Sequence, residues 1–206
     1  MKGILIINLG TPDNLELTSV KKYLKEFLSD SYVVDIPTII RKILVNFIIV
    51  PFRSRKTQEA YKSIWTKKGS PLIINTNLIK EKLGQKIDYP VEMAMRYQNP
   101  SIEKGLISLE EKGCKEIIVL PLYPHYAEAT SLTTKLKVKD VKDKLDLDLK
   151  LSFLDEFYNE DGYLESLSKQ INSHLNDDVD FLLFSYHGIP KRQNVRTNPT
   201  YEEQVK

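Results

Sequence analysis

GILIINLGTPD, residues 3–13, sets Ile4, Leu5, Ile6, Ile7 and Leu9 in a short β-rich apolar run and ends it with Gly10, Thr11, Pro12 and Asp13. A run this short, apolar on successive residues and closed by a turn, predicts a strand covered on both faces, as in a parallel sheet. The segment that follows, TSVKKYLKEFL (18–28), places Val20, Tyr23, Leu24, Phe27 and Leu28 at helical spacing. Strand, loop and helix in that order predict an α/β protein.

The pattern repeats along the chain. VEMAMRY (91–97) reads as a strand that stops at Gln98, Asn99 and Pro100, and PSIEKGLISLEEKG (100–113) as a helix stopped by Gly113. KEIIVLPLYP (115–124) is the next strand. From 128 to about 145 the apolar period is helical, whereas LDLDLKL (145–151) alternates strictly and predicts a strand. EDGYLESLSKQINSHL (160–175) predicts a helix, and the apolar run that opens FLLFSYHGIPKR (181–192) a further strand. Residues 53–66 and 71–84 are helical candidates separated by KKGSP, with Ser70 placed to cap the second and Pro71 at its first position.

The most apolar stretch, IPTIIRKILVNFIIVPF (36–52), is interrupted by Arg41, Lys42 and Asn46 and closed by Pro51. It falls short of the roughly 20 apolar residues that a membrane-spanning helix needs. It predicts an amphipathic helix, buried or lying at the mouth of a site. The switch from helical to alternating period sets a domain boundary near 146, giving a first α/β domain over 1–146 and the beginning of a second over 147–206. That second domain carries two predicted strands, so its sheet is expected to be unfinished and the chain to be truncated.

Composition excludes several classes. Thirty basic and 28 acidic residues leave a net charge of +2, interleaved along the chain, which argues against a nucleic-acid partner. Cys114 is the only cysteine, so the chain forms no internal disulfide and no cysteine-held iron–sulfur cluster, and it fits a reducing, cytoplasmic setting. No HExxH, CxxC pair or EF-hand loop is present, the single glycine of NLGTPD fails the dinucleotide fingerprint, and there is no P-loop. The residues imply no tightly bound cofactor and no obligate protein partner.

Ligands of open α/β sheets bind beyond the carboxyl ends of the strands. Those ends carry Thr11, Arg96, Tyr97, Tyr123, His125, Tyr126, Tyr186 and His187. A neutral imidazole at His187 suits a divalent metal or a proton from a bound acid, and Gly188 and Pro190 leave it accessible and stiffly held. A core histidine bonded to a carbonyl would fit the same position. His125, in YPHY, reads equally as a packing corner or a second metal contact, and His174 as a solvated helix residue. The Arg96 fork matches a carboxylate, or it is a structural ion-pair partner. With the surrounding tyrosines and the 36–52 helix, these residues suit a large planar substrate bearing acids.

FSYHGIPKR, MRYQNPSI, LPLYPHYAEAT, NLGTP and KKGSPL, in that family's order along the chain, resemble the ferrochelatases, which insert ferrous iron into protoporphyrin or coproporphyrin in heme biosynthesis. The resemblance implies a chelatase-like pair of Rossmann-type domains with parallel sheets. It implies that His187 is the catalytic histidine and a candidate metal contact, and that Arg96, Tyr123 and Ser70 line the porphyrin cleft. Thr11 and Tyr186, each at a strand end, join the candidate lining, and His125 stands where many relatives have glutamine. Porphyrin and Fe²⁺ would be substrates, and the 36–52 helix a lip facing a membrane or a partner. Family members continue beyond this point and supply an acidic residue opposite the histidine, so the 206-residue chain is expected to be inactive alone. A cobalt or nickel chelatase of the same architecture and a porphyrin-binding module without catalysis are the alternatives.

Overall fold

The computed structural model describes residues 1–176 and 179–206. Four strands, β1 (Lys2–Gly10), β2 (Val91–Tyr97), β3 (Glu116–Pro121) and β4 (Lys150–Phe153), form one sheet in the order β2-β1-β3-β4. All three pairings are parallel, with Ile4 opposite Val91, Lys2 opposite Glu116 and Glu116 opposite Lys150. Helices α1 (Leu17–Ser29), α2 (Thr38–Ile43), α3 (Val50–Ile64), α4 (Pro71–Gly84), α5 (Ile102–Glu111) and α6 (Thr133–Lys144) accompany the sheet. Three more, α7 (Asp161–Asn172), α8 (Lys191–Asn194) and α9 (Tyr201–Gln204), follow it in sequence.

The chain divides into two compact units: residues 1–122 with 133–154, and residues 123–132 with 155–206. The hydrophobic core belongs to the first. Leu5 and Ile7 of β1, Ala94 of β2, Leu106 and Leu109 of α5, Ile117 and Val119 of β3 and Val138 of α6 make one buried cluster. Ile6, also fully buried, points to the opposite face, as the two-residue period of a strand requires. The uninterrupted apolar run of β1 thus follows from a central position with helices on both faces.

Four sequence expectations need correction. The alternating segment near 146 does not open a second domain: β4 pairs with β3 and completes the first sheet, so the division falls after Leu154. Pro51 does not close the lip helix. A π-helical stretch over Leu44–Ile49 joins α2 to α3, and Pro51, the second residue of α3, lies within this helical run instead of ending it. Ser70 occupies the N-cap position of α4 but makes no side-chain capping bond. Residues 181–184 form no strand; an apolar segment of this kind needs a neighbouring strand and covered faces, and the described residues provide neither.

An ion cluster fastens the edge strand β2 to two helices. Glu92 accepts hydrogen bonds from Lys80 of α4 (2.7 Å), Ser108 of α5 (2.9 Å) and Lys112. Burial pushes the Glu92 carboxyl up, but the bonds from Lys112, Lys80 and Ser108 outweigh it and bring its pKa down to about 2. A carboxyl depressed in the folded state contributes stability above its unfolded value of 4.5 and loses it as pH falls towards about 2. With solvent screening the contribution is about 1–2 kcal/mol. Glu92→Gln should therefore lower the urea midpoint at pH 7, and the difference from wild type should vanish by about pH 2. A difference unchanged between those pH values would mean that the charge is not its source.

Candidate functional site

The first unit carries Thr11, Ser70 and Arg96. β1 and β2 end side by side, with Gly10 opposite Tyr97, so Thr11 and Gln98 follow at adjacent strand ends. Gly10 adopts φ +111°, and a Cβ there would stand 2.0 Å from the Tyr97 carbonyl oxygen; no other residue type lets the two strands end this close. The Thr11 hydroxyl is buried beside that end with no hydrogen-bond partner. Ser70 is also buried, at the head of α4, outside the Arg96 network described next.

Arg96 is held by its own unit. Its Nη2 donates to Asp30 Oδ2, and its Nε and Nη2 donate to Thr133 Oγ1 at 3.0 and 2.7 Å. The same Asp30 oxygen accepts from the Tyr97 hydroxyl at 2.9 Å and from the Thr133 hydroxyl. The guanidinium also lies over the Tyr97 ring, 4.3 Å from its centre. The Arg96 and Asp30 side chains are 11% and 6% exposed, so this is a nearly buried ion pair. Arg96 nevertheless borders a cavity of about 560 Å³, together with Lys22, Lys25, Lys137 and Gln98. Tyr97 begins a file of aromatic contacts through Phe27 (5.2 Å), Tyr23 and Tyr61 to Trp65.

The second unit carries Tyr123, His125, Tyr186 and His187. Tyr123 is half-buried, two residues beyond β3. The His125 ring meets three tyrosines: Tyr158 stacked at 5.9 Å, and Tyr186 and Tyr201 edge-on at 5.6 and 5.9 Å. Burial pushes the His125 imidazole down, favouring the neutral ring that accepts protons or binds metals. His125, Tyr158 and Tyr186 border a cavity of about 630 Å³ that Tyr163 and Leu182 share. His187 itself is exposed, and its backbone hydrogen-bonds to the Tyr201 hydroxyl. Burial raises the Tyr201 hydroxyl, and so does the neighbouring Tyr186. Two of the expected residues, His125 and Tyr186, are thus in ring contact, and His187 adjoins them in sequence.

Sequence reasoning missed Asp30 and Thr133, which fix Arg96, and Tyr158 and Tyr201, which enclose His125. Asp30 directly follows α1, where only the apolar positions had been read. A buried carboxylate leaves no mark on an apolar period. His174, assigned no role, makes local contacts through Nδ1 to the Gln170 carbonyl (2.9 Å) and the Ser173 hydroxyl. Among the described residues no group of three or more His, Cys, Asp or Glu side chains is placed to hold a metal ion.

The four-stranded parallel sheet with its helices is that of a mixed α/β protein, consistent with part of a chelatase-like fold. The chain belongs to the ferrochelatase family, whose profile, described as Ferrochelatase, matches residues 1–206. It is 38% identical over 198 residues to the ferrochelatase of Coxiella burnetii (strain CbuK_Q154), a match covering 95% of this chain and 55% of the relative. It is 41% identical over 206 residues to that of Francisella tularensis subsp. tularensis (strain WY96-3418), covering 97% of this chain and 62% of the relative. The chain thus spans little more than half the length of these curated relatives.

Proposed function

We propose that this chain carries the porphyrin-metallating site of a ferrochelatase, with Fe²⁺ and a porphyrin as substrates. The family match over the whole chain carries the reading. Metallation removes two pyrrole protons, strips water from Fe²⁺ and bends the macrocycle so that its nitrogen lone pairs point at the metal; the products are the iron porphyrin and two protons. His187 takes the pyrrole protons, a task for which a ring nitrogen of the imidazole serves as the acceptor. His125 supplies a second neutral nitrogen near the metal. Tyr123 and Tyr186 offer flat apolar contact, and Thr11 and Ser70 offer hydroxyls to the porphyrin edge. Arg96 acts as a fixed positive charge, because Asp30 and Thr133 already hold its fork.

No helix among the described residues is long and apolar enough to cross a membrane. The lip is the segment that would meet a membrane surface from the cytoplasmic side. Ile39, Phe47 and Phe52 are 75%, 73% and 80% exposed there, and Lys42, Arg53 and Arg55 lie along the same helical run.

The test is anaerobic insertion of Fe²⁺ or Zn²⁺ into protoporphyrin and coproporphyrin, with the 206-residue chain alone and together with the part of a relative that it does not match. Alone, the chain, which spans little more than half the length of these relatives, should give no turnover, and robust turnover would show that the matched length suffices for metallation. Restored activity should fall by about 100-fold or more in His187→Ala, the scale of a lost general base. Added imidazole should recover kcat without changing the KM for iron. Wild-type rates in His187→Ala would remove His187 from the mechanism. Porphyrin binding without metallation in the restored protein would favour a binding module.

A further inference from the structure

The cavity of about 560 Å³ beside Arg96 lies wholly within the first unit, and none of Thr11, Ser70, Tyr123, His125 or His187 borders it. Four cations do, Lys22 and Lys25 of α1, Arg96 near the end of β2 and Lys137 of α6, together with two carboxylates, Glu26 and Asp30. Both carboxylates are already engaged. Asp30 Oδ1 accepts from the Tyr32 N–H (2.8 Å) and Oδ2 from Arg96, Tyr97 and Thr133. Glu26 Oε2 accepts from the Gln98 N–H (3.1 Å) and from the Gln98 side-chain amide. Lys137 shares its charge with Asp140 at 3.2 Å. Lys22 and Lys25, three residues apart and so on one face of α1, make no ion pair or hydrogen bond among the described residues.

We infer that this cavity is a binding site for a small diphosphate-bearing molecule, held by Lys22, Lys25 and the outer nitrogen of Arg96. The Nε and Nη2 of Arg96 spend their three N–H groups on Asp30 and Thr133, whereas Nη1, with two more, makes no hydrogen bond among the described residues. No two-nitrogen edge of the guanidinium is left for the parallel pair of bonds that a carboxylate takes from arginine. One guanidinium nitrogen and two ammonium point charges suit instead the several oxygens of a phosphate, which spread in three dimensions and carry more than one charge. Asp30 and Thr133 hold the guanidinium from the other side, so its remaining donors are fixed before a ligand arrives. The volume falls within the range of small-molecule pockets, about 300–1,000 Å³, and leaves room for a second phosphate or an organic body. The site takes neither porphyrin nor iron, so it is tested by binding alone.

The test is titration calorimetry of the 206-residue chain with pyrophosphate, ADP and citrate at low salt. Pyrophosphate should bind at one site, about tenfold or more tightly than citrate, a multiply charged anion that offers only carboxylates. Its affinity should fall as salt is added. Tighter binding of ADP would assign the site to an organic diphosphate, and weaker binding to the free ion. The side-chain nitrogen resonances of Arg96, assigned by their loss in Arg96→Lys, should shift as pyrophosphate is added. Lys22→Gln with Lys25→Gln should weaken binding by about 100-fold, roughly tenfold for each lost charge-assisted bond, and leave urea unfolding unchanged, since both lysines are exposed and unpaired. Lys86→Gln with Lys104→Gln, which removes two exposed lysines outside the cavity, should leave binding as it was. No binding, citrate binding as tightly as pyrophosphate, equal losses in the two double variants, or stationary Arg96 resonances would each overturn the inference.

Discussion

Asp30→Ala is expected to destabilise the first unit by about 3–5 kcal/mol, the cost of leaving one partner of a buried ion pair uncompensated. The Asp30 carboxylate accepts from Arg96, Tyr97 and Thr133 at once, so its removal takes an acceptor from three donors and the counter-charge from Arg96 in a site where both charged side chains are nearly inaccessible. Urea unfolding followed by the fluorescence of Trp65, the only tryptophan, measures the loss. The double variant Asp30→Leu with Arg96→Met should recover most of it, because apolar residues of similar size need no partner. A loss below about 1 kcal/mol for Asp30→Ala, within the range of an exposed pair, would show that Arg96 does not depend on Asp30.

Gly10→Ala should cost about 4 kcal/mol or more, the range reserved for backbone strain and overpacking acting together. Its φ of +111° already disfavours an L residue, and the added carbon would collide with the Tyr97 carbonyl oxygen, a backbone atom that cannot swing aside. Gly113→Ala is the control. Gly113 also has a positive φ, +81°, but a Cβ there meets nothing within 4 Å, so only the conformational cost of about 1–2 kcal/mol applies. Equal losses at the two positions would mean that the close approach at Gly10 is not rigid.

The sheet was legible because its signals are local. The apolar run of β1, the strand 91–97 and the helix ended by Gly113, observed as α5, were each readable from period and turn chemistry. The boundary near 146 misled for a physical reason: alternation marks a strand with one polar face but does not say which sheet it joins, and β4 joined the first. Residues 181–184 read as a strand because strand propensity is a statement about packing on neighbours, and the described residues offer none. At the candidate site the sequence offered side chains by type and strand end. It could not show that Asp30 and Thr133 engage Arg96, since that partnership joins residues 66 and 37 positions away.

The second unit is assembled from two separated stretches, 123–132 and 155–206, with α6 and β4 returning to the first unit between them. No single peptide bond therefore separates the two units. A cut anywhere between Thr133 and Leu154 leaves the 123–132 loop on one piece and its bonding partners, Gln204 and Arg196, on the other. The histidine of that loop, His125, and the tyrosines that surround it would then part company, so chain continuity through α6 and β4 is itself a condition for keeping the aromatic enclosure whole.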